Sequence, residues 1–261
     1  MTQDTPKVES GIIAFLDILG YANFLENNEP EEAAKVILNI LLTAPDKMRA
    51  LNVKIYNEDI EIKTHVEEQL KRFKWLIFSD SILVAFPYTR TATDDTKAHE
   101  WMYFLLFIST LYRHLFDNGL PIRGAVTFGN FFIKGQCFAG RTIINAYKMA
   151  STLDLAAIAL DKQASDELLG LMKKSNMNTA MECVTEYAIP LKDGTSPKRL
   201  VVIPSFPLMP TLTVDDLRQV VAESFWKHKK DLTPSVMTKL NNTEMFFRYF
   251  KMKSPILFIE K

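Results

Sequence analysis

The chain has 261 residues, 48% hydrophobic and 24% charged, so it can bury a substantial core and is not a disordered chain. Lysine plus arginine and aspartate plus glutamate balance at 31 each, so net charge indicates neither a nucleic-acid nor an anionic-membrane partner. The two cysteines form no disulfide framework, the polar N-terminus does not resemble a signal peptide, and no run is apolar enough to span a bilayer. We therefore expect a cytoplasmic protein that binds no nucleic acid and has no membrane span.

The first predicted element is a buried strand at Gly11–Gly20, after a polar tail over residues 1–10. Its residues are nearly all apolar, as expected of an interior strand that is covered on both faces. Asp17 is the only charge in this strand. It either caps a following helix at Tyr21–Glu26 or is one of a functional pair of carboxylates.

A long helix is predicted from about Glu31 to Ala50, and a charged connector, Asn57–Lys71, follows it. The next segment, Arg72–Pro87, has two apolar runs around a Ser-Asp-Ser centre, which is typical of a strand hairpin. Asp80 then lies at the turn between largely buried strands. Such a carboxylate either only makes the turn or is held there for a charged partner.

Two isolated carboxylates, each at the end of an apolar strand, indicate a cation site. If Asp17 and Asp80 lie side by side, they repel each other and stay ionised only with a cation between them. Mg²⁺ is typically held by one or two carboxylates plus substrate phosphates. The alternative is that both acids have structural roles.

A second long helix is predicted at Lys97–Asn118, and Leu120–Lys134 is predicted to be a hairpin that turns at Gly129-Asn130. Arg123 is the lone charge in the first strand of that hairpin. A buried arginine needs an anionic partner, which is either a phosphate or a structural carboxylate. The neighbouring glycine permits close backbone approach.

The remaining elements complete an α/β (α+β) plan with a mostly antiparallel central sheet flanked by helices, related to the ferredoxin-like pattern. They are a helix within Gly140–Thr152, a strand Ala156–Leu160, a helix Lys162–Met172, a hairpin of Met181–Pro190 and Arg199–Pro204 around the loop Lys192–Lys198, and helices Val214–Trp226 and Pro234–Lys251. Residues 11–204 are predicted to form this domain, and residues 205–261 a helical C-terminal appendage.

Four blocks, in order, resemble motifs of the class III nucleotidyl cyclases. They are FLDILGYANFLE, which resembles F-x-D-I-x-G-F-T; SDSILVAF, which resembles G-D-x-x-x-A-x-F; IRGAVTFG, which resembles R-x-G-I-x-x-G; and GRTIINAYKMA, which resembles G-D-x-V-N-x-A-x-R-L. Among relatives, the chain most resembles the pyrimidine cyclases of bacterial antiphage signalling (Pycsar). The resemblance implies the ferredoxin-like class III cyclase fold.

The resemblance also implies roles by position. Asp17, Asp80 and the carbonyl of Ile18 would bind two divalent cations, Mn²⁺ or Mg²⁺. These ions would hold the triphosphate and favour attack of the ribose 3′-oxygen on the α-phosphate, with pyrophosphate leaving. Arg123 would bind the β- and γ-phosphates. Lys148 takes the place of the family's transition-state arginine.

Further positions carry weaker implications. Lys192 and Lys198 are candidates for a second phosphate contact. Asn145 lies one place from the family's ribose-orienting asparagine, where this chain has Ile144.

Two positions bear on the base. Leu76 and Cys137 fall where adenylyl cyclases have the lysine and aspartate that read adenine. Because leucine cannot donate to a purine nitrogen, ATP is disfavoured. On family grounds a pyrimidine nucleotide is favoured, UTP before CTP.

Class III cyclases build their sites between two subunits, so the resemblance implies a head-to-tail homodimer with shared active sites. The cyclic product would be a second messenger in antiphage defence, sensed by a separate effector. The alternatives are a catalytically inactive cyclase-like module that binds nucleotide or a partner, a purine cyclase, a palm-type enzyme, or a regulatory protein in which the acids are structural. The absence of a GG[DE]EF-like run argues against a diguanylate cyclase.

Overall fold

The computed structural model describes residues 8–55, 60–89, 91–175, 179–204 and 214–253. Most of the predicted polar tail, the predicted link over residues 205–213 and residues 254–261 lie outside the described residues.

The helices and strands alternate along the chain in the order that the sequence patterns predict. They are β1 Val8–Ile18, α1 Tyr21–Glu26, α2 Pro30–Val36, α3 Ala44–Ile55, α4 Ile60–Lys71, β2 Lys74–Phe78, β3 Ser81–Pro87, α5 Asp94–Asp117, β4 Ile122–Lys134, β5 Cys137–Ala139, α6 Arg141–Thr152, β6 Ile158–Leu160, α7 Lys162–Lys174, β7 Val184–Ala188, β8 Lys198–Val202, α8 Val214–Trp226 and α9 Pro234–Lys253. A short 3₁₀ turn, Thr179–Cys183, precedes β7.

The strands of the described residues form one sheet in the order β2-β3-β1-β4-β6-β8-β7, with β5 paired to β4 outside this path. Only β4 and β6 run parallel among the assigned ladders, so the mixed α/β plan with a mostly antiparallel sheet is confirmed. β1 lies centrally because β3 and β4 pair with its two edges. This register places Asp17 opposite Ser81 on one side and Arg123 on the other.

Both faces of β1 are covered, which explains why its sequence is almost continuously apolar. One face, with Ile12 and Leu16, enters the main core against α5, whose Trp101 and Phe104 are fully buried. The other face belongs to a smaller cluster around Ile13, which α6 covers by packing over β1 and β4. Because side chains alternate along a strand, Asp17 lies on this second face.

The hairpin predicted at Gly129-Asn130 is wrong. Both residues lie inside β4, which runs on without a turn because β1 begins at Val8 and pairs with β4 as far as Phe132. The chain turns instead at Gly135, whose φ of +58° suits glycine, and then enters β5. The length of a partner strand thus overrides a local turn signal.

The helix predicted from Glu31 to Ala50 is divided into α2 and α3, which a π-helical stretch, Ile37–Leu42, connects. Pro45 gives a reason for the new start, because proline has no backbone N–H and suits the first turn of a helix. The predicted connector Asn57–Lys71 contains α4, and its residues 57–59 lie outside the described residues.

Helices α8 and α9 form at the positions predicted for the C-terminal appendage, and they pack on the sheet domain. Phe225, Phe246 and Phe250 are buried in the same core as the strands. The backbone N–H of Ala156 donates to Thr243 Oγ1 at 2.8 Å, which ties α9 to the segment before β6. In the described residues, no helix has the combination of length and hydropathy that crossing a membrane requires.

Candidate active site

Asp17 and Asp80 are brought together by two tight backbone features at one end of the sheet. Asp80 occupies the β2–β3 turn, where Ser79 adopts a φ of +54°. The backbone N–H of Ile18 donates to the carbonyl oxygen of Asp80 at 2.9 Å, which joins this turn to the end of β1. Gly20, with a φ of +75°, then directs the chain into α1. The strand hairpin predicted over Arg72–Pro87 is confirmed, with Asp80 at its turn.

Arg123 of β4 pairs directly with Asp17. Its Nε donates to Asp17 Oδ2 at 2.7 Å, and the two side chains are only 16% and 19% exposed. Burial raises the pKa of Asp17 from its usual value, Arg123 opposes that rise, and the nearby charge of Asp80 adds to it. The carboxylate partner that the sequence offered as an alternative to phosphate is therefore Asp17.

The carboxylate of Asp80 has open oxygens. It is half-buried, and the hydrogen bond it receives among the described residues is a long one of 3.5 Å from Ser81 Oγ. Asp17 likewise engages only its Oδ2 with Arg123. The pair therefore offers free carboxylate oxygens on two adjacent strand ends.

This donor set fits a hard divalent ion that takes its remaining oxygens from a substrate. Among the described residues, no group of three or more His, Cys, Asp or Glu side chains is arranged to hold a metal. An all-protein cage is therefore not built here. Two carboxylates plus phosphate oxygens is a common arrangement for Mg²⁺.

The two acids open into a cavity of about 460 Å³. Its lining consists of Asp17, Ile18, Leu19, Gly20, Tyr21, Ala22, Asn23, Asp80, Arg123, Lys192, Phe225, Lys230, Asp231, Thr233, Val236 and Lys239. Charges of both signs thus line one cavity, which has the acids Asp17, Asp80 and Asp231 and the bases Arg123, Lys192, Lys230 and Lys239. The volume is in the range of ordinary small-ligand sites.

Lys192 lies in this cavity without a charged partner. Its backbone N–H donates to Thr152 O at 2.9 Å, and its ammonium has no hydrogen bond or ion pair within the part of the chain that is described. Partial burial lowers the pKa of Lys192 and the charges of Arg123 and Lys239 lower it further, while the carboxylates of Asp17 and Asp154 oppose this shift. Its ammonium is available to an anion.

The structure places the other predicted residues outside this cavity. Asn145 and Lys148 lie exposed on α6, and Cys137 is exposed at the start of β5. Leu76, on β2, is half-buried against the small cluster on the second face of the sheet. Lys198 begins β8 and lies 3.8 Å from Glu186, with both side chains largely exposed.

Sequence reasoning missed the contribution of the C-terminal helices to the lining. Lys230 and Asp231 belong to the α8–α9 connection, and Lys239 belongs to α9. The basic run at residues 227–230 was the available signal, but such a run is ordinarily a solvated surface segment. Nothing local to it indicates that it packs beside the first strand.

Comparisons with known proteins give the following similarities. No family model matches the sequence, and no curated protein matches it. One solved structure with a similar fold is the catalytic core of a rhodopsin-guanylyl cyclase with converted specificity in complex with ATPαS; it is 14% identical with a TM-score of 0.45, and the match covers 77% of this chain and 98% of that one.

Two structures of a bacterial light-regulated adenylyl cyclase are 10% and 12% identical, each with a TM-score of 0.42. The matches cover 92% and 94% of this chain but only 58% and 59% of those chains. With identities of 14% or less and TM-scores of 0.45 or less, these similarities assign neither a family nor a substrate to the chain.

Proposed function

We propose that the chain is a nucleotidyl cyclase that converts a pyrimidine nucleoside triphosphate, UTP before CTP, to the 3′,5′-cyclic monophosphate and pyrophosphate. The observation that carries the cyclase assignment is the pair of carboxylates, Asp17 and Asp80, which opens into one cavity with the cations Arg123 and Lys192. The preference for a pyrimidine rests on the sequence resemblance. Acids that suit divalent ions beside bases that suit phosphates are the groups needed to hold a metal–triphosphate.

The proposed roles of the chain's own residues are the following. Asp17, Asp80 and the carbonyl of Ile18 would hold two divalent cations, Mn²⁺ or Mg²⁺. Arg123 and Lys192 would bind the β- and γ-phosphates and so orient the α-phosphate. The bound ions would supply Lewis-acid polarisation of the α-phosphate and favour an ionised ribose 3′-oxygen.

The pairing of Arg123 with Asp17 fits this division. In the absence of a cation the guanidinium balances the buried carboxylate at 2.7 Å. A metal–triphosphate would bring a positive charge to Asp17 and a negative charge to Arg123, so each group would find a new partner in the same step.

A second copy of the chain would complete the site. The exposed face beside the acids carries large apolar side chains: Phe78 is 76% exposed, Tyr147 55% and Ile144 52%. This supports a closed two-fold pair in which Lys148 and Asn145 of one subunit face the acids of the other. Leu76 and Cys137 would then lie near the base.

The biological setting rests on the sequence resemblance alone. We propose a cytoplasmic enzyme whose cyclic product is a second messenger in antiphage defence, sensed by a separate effector.

The test is to incubate the chain with Mn²⁺ or Mg²⁺ and each of the four nucleoside triphosphates and to measure cyclic product and pyrophosphate. We expect equimolar cyclic pyrimidine nucleotide and pyrophosphate. Asp17→Asn and Asp80→Asn should each lower the rate by roughly 100-fold or more, because each removes a ligand of the ions. Asp166→Asn is the matched control, since Asp166 forms an exposed pair with Lys162 on α7.

Cyclic product from ATP alone would refute the pyrimidine assignment. A second function is a catalytically inactive module that binds nucleotide. One observation favours it: Asp17, a proposed metal ligand, already accepts a hydrogen bond from Arg123. That function predicts calorimetrically measurable nucleotide binding with no cyclic product from any of the four triphosphates.

A further inference from the structure

The C-terminal helices supply one wall of the cavity that holds Asp17 and Asp80. From them, Lys230, Asp231, Thr233, Val236 and Lys239 face the end of β1 and the start of α1. The sheet domain alone therefore encloses only part of this space. A ligand bound at the two acids would also contact α9.

We propose that Lys239 of α9, together with Lys192, binds the terminal phosphates of the substrate and of the departing pyrophosphate. This inference rests on the proposed function, because it needs a polyphosphate in the cavity. It assigns a binding role to a segment that the sequence patterns mark only as an appendage.

Lys239 is held in place by its neighbours. Its side chain is 12% exposed, and its Nζ donates to Ser235 Oγ at 2.7 Å and to Ser235 O at 3.1 Å. The helix around it is also anchored, since Asn242 Nδ2 donates to Asp154 O at 2.8 Å. A long side chain that is already ordered loses little rotamer entropy when it binds an anion.

Positive charges converge around Lys192. The charges of Arg123 and Lys239 both act on Lys192 and lower its pKa. Arg123 is balanced by Asp17, and Lys239 lies 3.4 Å from Asp154 Oδ1, but Lys192 has no such partner among the described residues. The carboxylates of Asp17 and Asp154 act on Lys192 in the opposite sense, and a bound anion would add to this favourable effect.

The ion pair between Lys239 and Asp154 is a long one. At 3.4 Å it is longer than the usual charge-assisted hydrogen bond of about 2.8 Å. A phosphate oxygen entering the cavity would replace one anionic partner of Lys239 with another. Asp154 would then act as the ligand's competitor for the ammonium.

The rival interpretation is a purely structural pair in which Lys239 and Asp154 fix α9 to the sheet domain. The two interpretations predict different effects of substituting Lys239 and Asp154 on anion binding. If the pair is purely structural, substituting either Lys239 or Asp154 lowers the stability of the fold, and neither substitution strengthens anion binding. In the binding case, loss of Lys239 weakens anion binding and loss of Asp154 strengthens it.

The experiment is calorimetric titration of the full chain with inorganic tripolyphosphate in Mg²⁺ buffer. Lys239→Gln should weaken binding by roughly 10- to 100-fold, the usual size for a hydrogen bond to a charged group. Lys239→Arg should stay within a few-fold of wild type, and Asp154→Asn should bind about as tightly or tighter. Lys229→Gln is the matched control, because Lys229 pairs with Glu32 outside the cavity.

Wild-type affinity in Lys239→Gln, or equal weakening in Lys239→Gln and Asp154→Asn, would overturn the inference. If Lys239→Gln does not fold, the Arg and Asn variants still decide it, since weaker binding by either one contradicts the assignment. The calorimetric titration measures tripolyphosphate binding without any catalytic turnover. A chain that makes no cyclic product but loses the anion with Lys239→Gln would refute the proposed function and leave only the polyphosphate-binding role of Lys239 standing.

Discussion

Opposing effects act on the ionisation of the Asp17 carboxyl group. Burial opposes its ionisation and Asp80 adds repulsion, while Arg123 favours the charged form through a bond of 2.7 Å. Burying a carboxylate without such a partner is costly. Arg123 therefore compensates the charge of Asp17 at the strand end, which the proposed metal site would require when no cation is bound.

Lys230 is a second buried charge near the cavity, and it gives the fold a pH dependence. Its ammonium donates to Gly119 O at 2.7 Å and to Ser224 O at 3.1 Å, and burial lowers its pKa to about 7. Between this value and its ordinary value of 10.5, the unfolded chain binds more protons than the folded chain. Stability contributed by this group therefore rises with pH across that window.

We expect the free energy of unfolding of wild type, relative to Lys230→Met, to increase between about pH 7 and pH 10 by a few kcal/mol. Denaturant unfolding at a series of pH values measures this difference. Lys229→Met is the control: Lys229 is exposed beside Glu32, so its profile should follow wild type. A pH-independent difference for Lys230→Met would show that Lys230 is not a buried cation.

At the scale of elements, the site depends on how closely β1 and β4 approach each other. A Cβ at Gly124 would lie 2.5 Å from Leu16 Cδ2 and 2.7 Å from Phe15 O. The close backbone approach expected beside Arg123 from the sequence is therefore present. Any side chain at Gly124 must move the strand that carries Asp17.

Gly124→Ala should lower the free energy of unfolding by roughly 1–3 kcal/mol, the cost of overpacking a well-packed core. It should also weaken cyclase activity, because the pairing of β1 with β4 sets the distance between Asp17 and Arg123. Chemical denaturation checks the first effect and the cyclase assay the second.

Gly170→Ala is the matched control for this prediction. Gly170 lies in α7, and a Cβ there would meet nothing within 4 Å. Alanine should stabilise this helix by about 0.5–1 kcal/mol. Equal effects of the two substitutions would contradict the steric account of Gly124.

At the scale of the whole molecule, the distribution of predicted residues favours an assembly. The acids and Arg123 line one cavity, whereas Lys148 and Asn145 lie exposed on α6 outside it. We propose that all five act in one reaction through the meeting of two copies. The exposed apolar side chains on the same face are the available contact surface.

Mixing Asp17→Ala with Lys148→Ala should restore about a quarter of wild-type cyclase activity, although each variant alone is inactive. Half of randomly formed pairs are heterodimers, and each of these has one intact site of two. Mixing Asp17→Ala with Asp80→Ala is the control and should restore nothing, because both substitutions damage the same side of the site. No recovery in the first mixture would refute the shared site.

Local patterns in the sequence were sufficient for much of the architecture. The apolar run around Asp17, the hairpin around Asp80 and the helical spacing of α5 and α6 each predict the element that forms. The physical reason is that hydrophobic periodicity and turn residues act over a few neighbours, so the chain itself carries them. The position of Asp80 at a turn follows from the same information, whereas its place beside β1 depends on the pairing of β1 with β3.

Only the tertiary structure decided the rest. Gly129 and Asn130 make no turn, because the neighbouring strand continues past them. The partner of Arg123 is Asp17, 106 residues away in sequence, and Lys239 reaches the cavity from the last helix. Strand register and helix packing bring such groups together through contacts between distant segments, and no local pattern in a single sequence encodes which distant segment will arrive.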